Sequence, residues 1–137
     1  VTLRHSSTSF TVVTGHEDPA KPAEQTDWAA LAAVPGALII LMGMGRLAGI
    51  TERLIAGGRP ADQPAAAVQW GTTPRQRRLI STLGDLPEAV SAAGLGSPAV
   101  VVVGPVAALA SSIGWLERRP LLGKRPQPAG VHQRQRR

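Results

Sequence analysis

Two uninterrupted apolar runs, Leu38-Ile39-Ile40-Leu41 and Ala99-Val100-Val101-Val102-Val103, set the terms on which this chain folds. A run of four or five apolar residues without polar alternation reads as a strand covered on both faces. Pro35-Gly36 divides the apolar stretch around the first and Gly104-Pro105 the second. Neither stretch therefore reaches the roughly 20 unbroken residues of a membrane-spanning helix. The layers that cover such strands are aliphatic, since the chain has three Trp, one Phe and no Tyr. Its 137 residues suffice for one domain with a real core.

The segments between the runs supply the covering helices. Phe10-Thr11-Val12-Val13 is a short β-branched strand, closed by Thr14-Gly15-His16 and followed by a polar loop to Thr26, which can cap a helix over 27–34. After Leu41 the period switches, with Leu47, Ile50, Leu54 and Ile55 recurring at helical spacing until Gly57-Gly58 ends the helix. "AAAVQW" is a further strand and "GTTPRQRR" a loop rich in donors. Leu79 to Leu83 is a short strand. Asp85 and Glu88 have the spacing of a capping box ahead of a helix faced by Leu86, Val90 and Ala93. A weak helix over 106–117 closes the body. Strands alternating with helices predict an α/β fold with a mixed, largely parallel sheet flanked by helices.

The formal charge of +6 points toward nucleic acid or an anionic surface only until its distribution is inspected. Seven of the fifteen basic residues lie from Arg118 onward, where no acidic residue occurs, so the first 117 residues carry net −1. Residues 1–117 are the expected folded body and 118–137 a basic, disordered tail that attracts polyanions without reading a specific nucleic acid. Neither a secretory leader nor a spanning segment is legible, which predicts a cytoplasmic protein without a membrane partner. With no Cys, and with His5, His16 and His132 lacking ligand spacing, no metal site and no catalytic nucleophile are assigned.

Gly43, Gly45 and Ala48 satisfy G-x-G-x-x-G/A, which makes a dinucleotide-binding turn one reading and a plain tight turn another. The acidic partner of a ribose is matched only by Asp62, in a loop. Met42 and Met44 read equally as core filler or as a soft wall at a strand end. Thr14-Gly15-His16, Met42-Gly43-Met44, Trp70-Gly71-Thr72 and Gly104-Pro105 all follow strands, so one shared cleft at the sheet's carboxyl edge is expected to collect them. Arg75, Arg77 and Arg78 are either an anion clamp or a solvated loop.

In order along residues 1 to 123, "SFTVVTGHEDP", "DWAALA", "LIILMGMGRL", "RLIAGGRP", "VQWGTTPRQRR", "LGDLPEAVSAAGLGSPAVVVVGPVAAL" and "WLERRPLLG" resemble the tetrapyrrole methylases. The likeness is to the C-terminal half of their S-adenosylmethionine-dependent uroporphyrinogen III C-methyltransferases. The resemblance implies the second domain of a two-domain α/β enzyme that makes precorrin-2 for sirohaem and cobalamin, with S-adenosyl-L-methionine in the cleft between domains. It implies that Met42, Gly71 and Ala99 contact that methyl donor and that Arg4 lies beside the substrate, uroporphyrinogen III. Leu3 stands where the family has His, and Pro105 where it usually has Glu. The family's N-terminal "GPGDP" loop and acid/base residues have no counterpart in the chain. No catalytic residue is therefore expected here, nor activity without the missing N-terminal domain, and the full enzyme is expected to be a homodimer. The alternative is a non-catalytic dimerising or binding module derived from such an enzyme.

Overall fold

The computed structural model describes residues 1–16 and 26–113. Five strands form one sheet, namely β1 (Phe10–Thr14), β2 (Ala37–Leu41), β3 (Pro64–Gln69), β4 (Arg77–Thr82) and β5 (Ala99–Val103), in the spatial order β1-β2-β5-β3-β4. Between them run α1 (Trp28–Ala33), α2 (Leu47–Ala56) and α3 (Leu86–Ala92). A 3₁₀ segment Pro105–Leu109 and the short α4 (Ala110–Ile113) follow β5. The expected tail from Arg118, and the last part of the helix expected over 106–117, lie outside the described residues.

The mixed α/β class expected from the sequence is what forms, but the pairing differs from a largely parallel sheet. Only β1 and β2 pair in parallel; β2 with β5, β5 with β3 and β3 with β4 are antiparallel. The cause is a single reversal. Each helical crossover, through α1, α2 and α3, joins strands running the same way, as expected. The loop 70–76 is instead a hairpin between β3 and β4, and it turns β4 and β5 against the first three strands. β5 then enters between β2 and β3, so codirectional strands lie one place apart.

One face of the sheet carries the helices. Leu38, Ile40, Ala65, Ala67, Val101 and Val103 point into it and meet Trp28, Leu47, Ile50, Leu54, Leu86 and Val90 from α1, α2 and α3. Each of the larger side chains withdrawn there contributes about 1.5 to 3 kcal/mol. α2 buries Leu47, Ile50 and Leu54 of the stripe its spacing predicts, with Thr51 beside them, while Ile55 is half-buried at the edge of the core. The opposite face is more open. Phe10 and Val12 of β1 remain 50% and 52% exposed, while the segment after β5 packs over β3. Ile39 of β2 is nonetheless buried.

Helix ends are tied by residues other than those expected. Asp27, not Thr26, caps α1, its carboxylate accepting from the Ala30 N–H at 2.9 Å. Asp85 occupies the N-cap position of α3 without capping it, because Thr82 Oγ1 donates to its carboxylate at 2.8 Å. Arg59, 6% exposed, reaches the carboxyl end of α1 and donates to Val34 O at 3.0 Å and to Gln63 Oε1 at 3.1 Å. A guanidinium satisfies loose carbonyls and suits the negative end of a helix dipole. Burial pushes its pKa below the ordinary arginine value.

Candidate functional site

The register brings one end of the sheet together from four stretches of chain. β1, β2 and β3 finish there at Thr14, Leu41 and Gln69, and β5 begins there at Ala99, which pairs with Gln69. Leu41 pairs with Val100, so Met42 stands level with Ala99. Gly71 follows Trp70, whose N–H donates to Pro98 O at 3.1 Å, across the cis Ser97-Pro98 bond from Ser97. With strands about 4.8 Å apart, Met42 and Trp70 are separated by two spacings, about 10 Å, with β5 between them. Three residues singled out from the sequence, Met42, Gly71 and Ala99, are thus on one edge.

The backbone at that edge is unusual. Met42, Trp70 and Thr72 have φ of 53°, 51° and 67°, and they are the only non-glycine residues with positive φ among the described residues. Such conformations are costly for side chains with a Cβ and gather where a site is shaped. The turn at Met42 separates the two methionines: Met44 packs against the core, whereas Met42 stays 64% exposed. Gly15 lies beneath it and donates to Leu41 O at 2.7 Å, and a Cβ on Gly15 would come within 2.6 Å of Gly43 Cα. Only a glycine lets the ends of β1 and β2 approach so closely.

Two expected members are placed elsewhere. Gly104-Pro105 does not join the edge, because β5 runs antiparallel to its neighbours and ends at the other side, where the Gly104 N–H donates to Pro64 O. Arg4 stands in an exposed turn leading into the first residue of β1, closed by the Leu3 to Ser7 bridge, whereas Met42 lies beyond that strand's far end.

The hairpin loop 70–76 carries what reasoning from residue types did not resolve. Thr73 Oγ1 donates to Trp70 O at 2.7 Å, and Gln76 Oε1 accepts from the Thr72 N–H at 2.7 Å. Arg75 Cζ sits 4.1 Å from the centroid of a Trp70 ring, a cation–π contact. The three arginines also divide. Arg77 donates to Ala93 O at 2.7 Å and Gly94 O at 3.3 Å, at the end of α3, and Arg78 donates to Ala110 O. A Trp five residues ahead of an Arg, in a chain so poor in aromatics, was the available signal.

Residues 1–87 match the family model for Tetrapyrrole (Corrin/Porphyrin) Methylases. The chain belongs to this family. A siroheme synthase of Tolumonas auensis is 44% identical over 124 residues, which are 90% of this chain and 26% of that protein. An S-adenosyl-L-methionine-dependent uroporphyrinogen III methyltransferase of Methanosarcina barkeri is 37% identical over 83% of this chain and 45% of that protein. Among solved structures, a native uroporphyrin III C-methyl transferase from Thermus thermophilus superposes with TM-score 0.68 at 27% identity, covering 82% of this chain and 47% of that one. The Thermus protein complexed with S-adenyl homocysteine superposes with TM-score 0.65, at 29% identity over 79% of this chain. This tetrapyrrole methylase chain thus spans less than half the length of these relatives. The glycine turn after β2 belongs to a methylase fold, and the dinucleotide reading of Gly43, Gly45 and Ala48 is set aside.

Proposed function

We propose that this chain is the C-terminal part of an S-adenosyl-L-methionine-dependent uroporphyrinogen III C-methyltransferase, acting toward precorrin-2 on the way to sirohaem or cobalamin, and that it is inactive without the N-terminal part. The observation that carries the reading is the convergence of Met42, Gly71 and Ala99 on one sheet end. That edge fits an adenosyl group. An exposed thioether gives a polarisable apolar wall, and Gly71 is not required by the fold, since a Cβ there would meet only Val68 Cγ1 at 3.5 Å and Gln76 Oε1 at 4.0 Å. The glycine is then explained by a ligand's close approach. When bound, the methyl donor supplies an activated methyl group. The residues of this chain contribute binding and orientation at that edge, whereas Arg4, which the resemblance sets beside the acceptor, stands before the opposite end of β1.

Methyl transfer needs donor, acceptor carbon and a proton acceptor held in line, and one wall of a cleft does not fix that geometry. The residues expected to move protons belong to the portion of the relatives that this chain does not span. In the complete enzyme we take residues 1–117 as the C-terminal domain, paired with that N-terminal domain in a cytoplasmic homodimer. A dimerising or binding module without catalysis is the second reading.

Two measurements test this. Calorimetry on the 137-residue chain is expected to register weak binding of S-adenosylhomocysteine and none of NADH; NADH binding more tightly overturns the assignment. An assay with uroporphyrinogen III is expected to give no methylation by the chain alone and some after a relative's N-terminal half is added in trans. Turnover by the chain alone refutes the half-site reading, and an inert mixture favours the binding module.

A further inference from the structure

Three arginines fall within four residues where the hairpin loop enters β4, Arg75 in the loop and Arg77 and Arg78 in the strand, and their environments differ. Arg77 and Arg78 are occupied with carbonyl groups at the end of α3 and in α4. Arg75 is exposed, and among the described residues its guanidinium has the Trp70 ring as its partner and no carboxylate. Its place is nevertheless fixed. The Arg75 N–H donates to Thr73 Oγ1 at 3.2 Å, Thr73 Oγ1 donates to Trp70 O, and Trp70 is tied to Pro98 beside Ala99. A guanidinium lying on an indole keeps the N–H groups in its own plane for a further acceptor, and the stacking lowers the entropy lost in using them. An oriented cation is therefore presented next to Gly71.

Resting on the reading above, we propose that Arg75, braced by Trp70, is an acceptor-binding residue that pairs with a carboxylate of the tetrapyrrole. Uroporphyrinogen is ringed by acetate and propionate groups, and a planar fork of donors suits a carboxylate better than any other group at this edge. Arg75 thereby selects for acidic side chains on the macrocycle and orients it against the Met42 and Gly71 wall. It takes no part in proton or methyl transfer.

The test uses the whole 137-residue chain, with uroporphyrin III as a stable carboxylate-bearing probe followed by quenching of Trp emission. S-adenosylhomocysteine is titrated in parallel by calorimetry. Arg75→Ala is expected to weaken uroporphyrin III about tenfold, the size of one charge-assisted contact, and to leave S-adenosylhomocysteine within about twofold. Arg75→Lys should fall between, keeping charge without the fork. Thermal unfolding of both variants is expected to match the parent, since the side chain is exposed. If Arg75→Ala binds uroporphyrin III like the parent, the assignment is wrong while the methyltransferase reading stands. If it loses S-adenosylhomocysteine instead, the carboxylate is the methyl donor's and the acceptor role is overturned. A parent chain that binds no uroporphyrin III overturns the proposal and counts against the tetrapyrrole reading beneath it.

Discussion

Gly15 shows how one absent side chain shapes the candidate site from below. The Met42 turn rests on it, with a Cβ there meeting Gly43 Cα at 2.6 Å and Ile50 Cδ1 at 2.8 Å. The first of these atoms is backbone and cannot rotate away. Gly15→Ala should therefore cost about 1 to 3 kcal/mol, the usual range for overpacking, as read from urea unfolding. Because the strain is relieved by lifting the turn, the same variant should also weaken S-adenosylhomocysteine. Stability lost with affinity intact would show that the turn and the methyl-donor wall are independent. Met42 was legible in the sequence as a choice between core and wall, and its left-handed backbone and 64% exposure take it out of the core. The support from Gly15 was not legible, since a close approach between two turns is a property of tertiary packing.

At the scale of elements, arginines close the carboxyl ends of two helices, Arg59 at α1 and Arg77 at α3. Arg77 closes α3 by donating to Ala93 and Gly94, while Asp85, at the other end, is engaged by Thr82. Arg77→Ala should destabilise the protein by about 1 kcal/mol, the net worth of such contacts at an exposed site. Arg75→Ala, whose contact is with an exposed ring, should change stability by less than half of that. Equal losses in urea unfolding would contradict the division of labour among the three. The strands and crossover helices were readable because apolar runs and helical spacing are local signals. The hairpin was not, since its turn uses Trp70 and Thr72 at positive φ, where Asn or Gly is the ordinary marker. The capping box failed for a related reason: Asp85 and Glu88 have the right spacing, but the Thr82 hydroxyl three residues back competes for the carboxylate.

For the whole molecule, the decisive feature is the place of β5. The sheet consists of a parallel pair, β1 with β2, and a hairpin, β3 with β4, and these two parts meet only through β5. A chain ended after Pro98 should therefore show no cooperative unfolding transition by circular dichroism, although it retains four of the five strands; a sigmoidal urea curve from it would refute this account. Strand order depends on such distant pairing and leaves no mark in local composition, which is why the sequence predicts the layers and not their sequence across the sheet. There is also a consequence in time. As the chain leaves the ribosome, β2 and β3 emerge with unpaired edges and long apolar runs, and both must wait some thirty to sixty residues for the strand that covers them. Synthesis thus passes through an interval in which the nascent protein is sticky on both sides of a gap, and chaperones that bind extended apolar segments would meet it then.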